Sequence, residues 1–252
     1  MNLSIVIRCG TDERVANCLQ SIKGMVEKIV VTNKKSTRIR QIATGHGARI
    51  LEAYGKNVAE MQNIGISAAQ NDFVLLIDSD CAFSENCIST MYRVLKQSPK
   101  SIVRGNLKFK ANGAINKIIA KLRSWHDCDR AYSPLLAFHR KIAPSVGGYF
   151  FNAHCPFVED YDFDIRRRHA GIPLIVREDA VAYHDITSLS EDLRRAWKYG
   201  KGMHGMKSQM SITQALADGI KKSIHVSKKY GLLAAAYYAL VWKPTYLVSY
   251  YV

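Results

Sequence analysis

The chain has 252 residues, 48% of them hydrophobic, and 36 Lys plus Arg stand against 21 Asp plus Glu for a formal charge of +15. That apolar fraction is ordinary for a globular protein and excludes a disordered polycation, and the length permits one large domain with a buried core. Cys9, Cys18, Cys81, Cys87, Cys128 and Cys155 include no Cys-x-x-Cys pair, which excludes a small disulfide scaffold and a paired-spacing zinc site and fits a reducing compartment.

In chain order, Met1–Arg8 carries too short an apolar run for a signal peptide, so a cytoplasmic protein is expected. Leu3–Ile7, Lys28–Val31 and Phe73–Ile77 predict short buried strands, and Glu13–Ile22 and Ala59–Ala69 predict helices between them. This alternation predicts an α/β fold with a parallel sheet covered on both faces and ligands beyond the carboxyl ends of its strands. Asp160–Ala170 reads as a polar helix stopped by Gly171 and Pro173, ahead of a short apolar run, Leu174–Val176. From Thr187 the chain reads helical and basic: between Arg194 and Lys229 nine Lys or Arg accompany one acid, Asp218. Residues 231–252 are apolar and rich in Tyr and Trp, but Lys243-Pro244 interrupts them, and a spanning helix needs roughly 20 unbroken apolar residues. An interfacial helix pair on an anionic membrane, or a helix packed on the domain or on a partner subunit, is expected there.

Three clusters carry chemistry. Phe73-Val74-Leu75-Leu76-Ile77-Asp78-Ser79-Asp80 ends a strand in two carboxylates one residue apart, at the sheet edge where oxygen ligands hold Mg²⁺ or Mn²⁺. Asp78 and Asp80 capping a turn is the plain alternative. Glu159-Asp160-Tyr161-Asp162-Phe163-Asp164 precedes Arg166-Arg167-Arg168, a charge order that complements a helix dipole, yet Glu159 and Asp160 stand where a carboxylate can take a proton from an attacking hydroxyl. Ala182-Tyr183-His184-Asp185 contributes a lone histidine, ordinarily structural.

Taken in order, these elements resemble an inverting glycosyltransferase of family 2 with the GT-A fold. The resemblance spans roughly residues 2–205 and rests on Leu3-Ser4-Ile5-Val6-Ile7, Cys18-Leu19-Gln20-Ser21-Ile22, Gln62-Asn63-Ile64-Gly65, the DxD motif Asp78-Ser79-Asp80, Gly147-Gly148-Tyr149, Glu159-Asp160-Tyr161-Asp162, Arg166, Gly171, His184 and Tyr199-Gly200-Lys201-Gly202. It implies a Rossmann-like, mostly parallel sheet flanked by helices over residues 1–188, with a nucleotide-sugar half to about 105 and an acceptor half from 106. Residues 189–252 would form a helical extension. It further implies Mn²⁺ or Mg²⁺ on Asp78, Asp80 and His184, with Asp160 as the base and Glu159 raising its proton affinity. Arg8, Asn33, Gln62, Asn63, Ser79 and Lys201 would meet the donor, a UDP-sugar by default. The acceptor would be a hydroxyl of a glycolipid, polysaccharide or other envelope glycan at the inner face of a membrane.

The chain departs from the family pattern at the nucleotide pocket. Val31-Thr32-Asn33-Lys34-Lys35 stands where relatives carry an Asp pair, Gln62 where they carry Arg, and Arg8-Cys9-Gly10 where they carry a Pro-containing turn. The competing reading is a degenerate GT-A domain that binds nucleic acid or anionic lipid through its charge. Four acids retained in one expected cleft oppose it, and no nucleic-acid recognition motif supports it. A sugar nucleotidyltransferase lacks its Gly-rich phosphate loop after the first strand. Trp125, His126 and Tyr132 are sugar-stacking candidates in the otherwise patternless stretch 106–145, although core or surface placement is the ordinary reading of each.

Overall fold

The computed structural model describes residues 1–123, 129–185, 188–206 and 211–252. They divide into two compact units, Met1–Lys108 with Asp127–His184, and Phe109–His126 with Asp185–Val252. Trp125 and His126 lie outside the described residues.

The first unit opens with β1 (Leu3–Cys9), buried at every position except Arg8, the near-continuous branched pattern of a strand covered on both faces. There follow α1 (Val15–Ser21), β2 (Glu27–Thr32), α2 (Thr37–Gly45), β3 (Arg49–Glu52), α3 (Val58–Ala68) and β4 (Phe73–Asp78). β1 runs parallel to β2 and β4, and β2 parallel to β3. β5 (Cys81–Phe83), α4 (Cys87–Gln97) and β6 (Ile102–Lys110) come next; after α5 (Ala114–Arg123), which groups with the second unit, come β7 (Leu136–His139), α6 (Glu159–His169) and β8 (Leu174–Asp185). The sheet order is β3-β2-β1-β4-β7-β6-β8-β5. β7 is antiparallel to both β4 and β6, so five of the first six strands in that order run the same way, as the α/β expectation requires.

α3 starts at a capping box, in which the Asn57 side chain accepts from the Glu60 amide and the Glu60 carboxylate accepts from the Asn57 amide. It then lies tight on the sheet: a Cβ at Gly65 would stand 2.3 Å from Val6 Cγ1, so only glycine permits this approach. On that face Val6, Val31, Val74 and Leu76 meet Met61 and Ile66. Phe138 stacks on Phe150 at 4.6 Å, and Phe163 of α6 packs beside them, which fixes the start of α6 against the sheet. Burying a side chain of this size stabilises by about 1.5–3 kcal/mol.

The second unit is helical. α7 (Leu189–Gly205) and α8 (Ile212–Tyr230) each begin at a capping box, Ser188 with Glu191 and Ser211 with Gln214. α9 (Leu232–Tyr237), a π-helical turn (Tyr238–Trp242) and α10 (Lys243–Tyr251), with Pro244 in its first turn, complete the chain. Among the described residues no helix is long and apolar enough to cross a membrane. α10 packs on α7 almost backbone to backbone: a Cβ at Gly200 would meet Ser249 Oγ at 2.0 Å and the Tyr246 carbonyl at 2.3 Å. Arg123 pairs with Asp192, which also accepts from Tyr237 Oη at 2.8 Å.

Candidate active site

Two strand registers assemble the acidic cleft within the first unit. β1 and β4 set Arg8 directly beside Asp78. The Arg8 guanidinium grips that carboxylate with both Nε and Nη2, the latter at 2.7 Å, while its Nη1 stands 3.6 Å from Glu159 Oε1. The antiparallel pairing of β5 with β8 sets Cys81 opposite His184, which brings His184 Nε2 to 3.3 Å from Asp80 Oδ2. Arg14, clamped on Asp12 at 2.7 Å, reaches to 3.8 Å from Asp80. Five carboxylates, Asp12, Asp78, Asp80, Glu159 and Asp160, thus gather around two guanidinium groups. A surplus of negative charge in a cleft favours a cation or bound protons.

Both responses are built in. Glu159 is 5% exposed, and its Oε2 has no hydrogen-bond partner among the described residues. Burial raises the proton affinity of its carboxyl and Arg8 opposes this. Asp160 keeps an open edge to solvent, yet protein crowds its carboxyl. Burial and then the charge of Glu159 push its pKa up to about 8, against the pull of Arg8. Arg8 itself stays charged: burial works against it, but Asp78, then Glu159 and Asp160, more than offset that cost. Phe157, two residues ahead of Glu159, holds φ at +71°, a left-handed backbone conformation that costs a non-glycine residue about 1–2 kcal/mol.

The donor set for a metal is Asp80, His184 and Cys81, with ligand atoms within 4.8 Å of one another. Burial, then Asp78 and Asp80, raise the Cys81 thiol pKa, which makes the Asp80 oxygen and the His184 nitrogen the readier donors for a divalent cation. This set shares Asp80 and His184 with the expected trio and adds Cys81, while the Asp78 carboxylate is held by Arg8. Cys81 and Arg14 were not legible as site residues: the register of β5 with β8 delivers the first, and an exposed-looking loop hides the second.

The remaining expected donor contacts scatter. Ser79 is buried and its amide donates to the Arg8 carbonyl at 3.1 Å, which fixes the Asp78-Ser79-Asp80 turn against β1. Asn33 lies just past β2 and donates to the Lys56 carbonyl at 3.2 Å. Asn63 is engaged at both ends of its amide by the Phe151 backbone, at 2.7 and 3.1 Å, and acts as a clamp between α3 and the following loop rather than an open donor group. Gln62 is buried and donates to Ser133 Oγ at 2.8 Å, leaving its Oε1 without a partner among the described residues. Lys201 belongs to the second unit, where its ammonium sits 5.7 Å from the Trp197 ring centroid; in that unit the Tyr199-Gly200-Lys201-Gly202 stretch serves helix packing through Gly200. Asp162 and Asp164 are structural: Asp162 pairs with Arg166 at 2.7 Å, while Asp164 accepts from the Ala131 amide and from Arg167 and Arg168. Arg166 in turn donates to the carbonyls of Tyr149 and Phe150 at 2.9 and 2.5 Å, tying down the loop that leads to α6.

The fold has solved counterparts. Staphylococcus aureus TarS superposes with a TM-score of 0.58 at 11% identity, over 100% of this chain and 55% of that one, and its 1–349 fragment with 0.59 at 11% identity, over 100% and 90%. GalNAc-T7, solved with UDP, GalNAc and Mn²⁺, superposes with 0.58 at 12% identity over 74% of this chain and 43% of that one. Glycosyltransferase GlyG of Streptococcus pneumoniae serotype 4 is 34% identical over 59 residues, 23% of this chain. The match spans about a fifth of the length of that curated relative (20%). At 11 and 12% identity the structural likenesses establish the GT-A type of fold. Residues 5–138, more than half of the 252, match the family model described as glycosyl transferase family 2, and the chain belongs to that family.

Proposed function

We propose that the chain transfers a sugar from a nucleotide-sugar donor, a UDP-sugar in the first instance, to a hydroxyl acceptor with inversion at the anomeric carbon. The observation that carries this reading is the single guanidinium of Arg8, which touches both Asp78 of the DxD segment and Glu159 of the Glu-Asp pair and so supports one cleft for leaving group and base. Asp160, its proton affinity raised, takes the proton as the acceptor oxygen bonds to the anomeric carbon and the nucleoside diphosphate departs with the bond electrons. Glu159 stays beside it and sustains that basicity. Asp80 and His184 would hold Mn²⁺ or Mg²⁺, which when bound would supply neutralising charge to the leaving diphosphate. Arg8 holds Asp78 and Glu159 in place and adds fixed positive charge on the donor side. Asn33, just past β2, offers a base contact, and Gln62 Oε1, without a partner among the described residues, one further acceptor.

The acceptor class we favour is a lipid-linked or envelope glycan, because the second unit carries the basic and aromatic helices suited to a membrane surface. A binding-only role is disfavoured by the surplus of carboxylates in the cleft. The experiment is a nucleotide-sugar panel screened by thermal shift with Mn²⁺ or Mg²⁺. A donor that binds the native state raises the melting temperature only with the cation, and the Asp80→Asn chain loses the cation-dependent part. No stabilisation by any donor in either cation overturns the reading.

A further inference from the structure

The helical segment 232–251 is anchored on one side and bare on the other. Ala234, Tyr238, Lys243, Ser249 and Tyr250 are buried, and the rings of Tyr238, Trp242, Tyr246 and Tyr250 stack at successive centroid distances of 5.6, 5.8 and 6.3 Å, which stiffens the segment. The opposite side follows the three-to-four-residue spacing of one helical face through Leu233, Ala236, Leu240, Pro244, Val248 and Tyr251, all exposed. Leu233 and Leu240 are 74% and 76% exposed. That face carries no charge along its whole length. The segment's one ionic side chain, Lys243, turns inward to Asp218 at 3.4 Å. A helix on a water-facing surface normally shows polar residues outward, so an uncharged outer face marks an interaction surface.

α8 repeats the arrangement. Ala215 and Val226 are buried, while Leu216, Ile220 and Ile224, one turn apart, are exposed by 54%, 62% and 52%. At 100° per residue, Lys221 and Lys228 fall beside this stripe, and both are exposed. Across residues 211–252 the one acid is Asp218, occupied by Lys222 at 3.2 Å and by Lys243. The rim of the apolar faces is therefore positive only. That complements a sheet of phosphate headgroups with acyl chains beneath, where leucines and isoleucines sink below the headgroups and lysines stay at their level.

We infer that α8 and residues 232–251 dock this chain in the plane of an anionic bilayer surface, with Leu216, Ile220, Ile224, Leu233 and Leu240 inserted and Lys221 and Lys228 on the headgroups. This goes beyond the donor and acceptor reading and does not depend on it, because docking is read without donor, cation or turnover.

The test is co-sedimentation of the full chain with phosphatidylglycerol vesicles and with phosphatidylcholine vesicles, alongside its mass by light scattering. Docking predicts binding to the anionic vesicles that exceeds binding to the neutral ones by at least about tenfold and weakens as salt rises. The double variant L233E/L240E, which alters only exposed positions, loses vesicle binding by at least about tenfold, with circular dichroism confirming that it folds. K221E/K228E loses the preference for anionic lipid and keeps the weaker apolar component. Equal binding of wild type and L233E/L240E overturns the proposal. So does a wild-type dimer that L233E/L240E converts to a monomer, which would make the face a contact between copies of this chain.

Discussion

The two compact units differ in whether every buried polar group is satisfied. In the second, Asp192 is shared by Arg123 and Tyr237, and Lys243 is turned onto Asp218, so the buried ionic groups named there have partners. In the first, Arg8 must serve Asp78 and Glu159 at once, and the buried side-chain atoms without a partner among the described residues, Gln62 Oε1, Arg140 Nε and Glu159 Oε2, all belong to it. Leaving a buried polar atom unpaired costs roughly 1–3 kcal/mol, a cost retained where chemistry needs it. A satisfied buried ion pair reads as architecture; an overcommitted guanidinium beside an orphaned carboxylate oxygen reads as a site.

The largest expected effect that sharpens this contrast is on catalysis. Replacing Asp160 by Asn removes the proton acceptor and lowers transfer by about 10²–10⁴, the usual contribution of a general base; single-turnover rates check it. Next comes the cation. His184→Ala and Asp80→Asn each lower Mn²⁺ affinity by at least about tenfold in calorimetric titration, whereas Asp78→Asn changes it far less because Arg8 already occupies that carboxylate. Equal losses for Asp78 and Asp80 would break the assignment.

Stability should separate the units in a second way. Arg8→Met strands Asp78 and Glu159 and costs about 2–3 kcal/mol, below the usual range for buried pairs because both partners of the Arg8–Asp78 pair keep some solvent contact. Adding Asp78→Asn restores part of that loss, and a double-mutant cycle in urea measures how much. In the second unit Gly200→Ala forces α10 off α7, and protease sensitivity near residue 250 should rise, with the first unit's unfolding transition unchanged.

A further effect is on pH. Asp160 is protonated below its raised pKa, so kcat/KM should climb with pH and level off above about 8. The folded chain holds this proton longer than the unfolded one, where Asp titrates near 3.9. The carboxyl's contribution to stability is therefore complete below that value and is lost as pH rises through about 8. A pH-independent kcat/KM between 5 and 9 would remove Asp160 from the role of base.

The parallel half of the sheet was legible because its strands are continuous branched runs: Leu3–Ile7, Lys28–Val31 and Phe73–Ile77 lie inside β1, β2 and β4. β8 was legible only at its start, since Arg177-Glu178-Asp179 breaks the apolar pattern of a strand that runs to Asp185 half exposed. Four of the five acids of the cleft, Asp78, Asp80, Glu159 and Asp160, were readable from their order, and Asp12 was not. Their partners were not, because Arg8 meets Asp78 and His184 meets Asp80 through strand registers that no local pattern encodes. Asn63 and Gly200 show the converse: a family-like motif can mark a backbone clamp or a helix crossing as readily as a ligand contact. The outer stripe of α8 was hidden among lysines, since which of its two apolar faces is covered depends on packing.

The central claim is that Asp160 accepts the proton in a cleft that binds the donor without it. The direct measurement pairs donor affinity by calorimetry with single-turnover transfer in Asp160→Asn, using the donor that stabilises the wild type. Donor affinity within about threefold of wild type together with a loss of transfer of at least about a hundredfold is the predicted result. Transfer at the wild-type rate, or a loss fully explained by weakened donor binding, contradicts it.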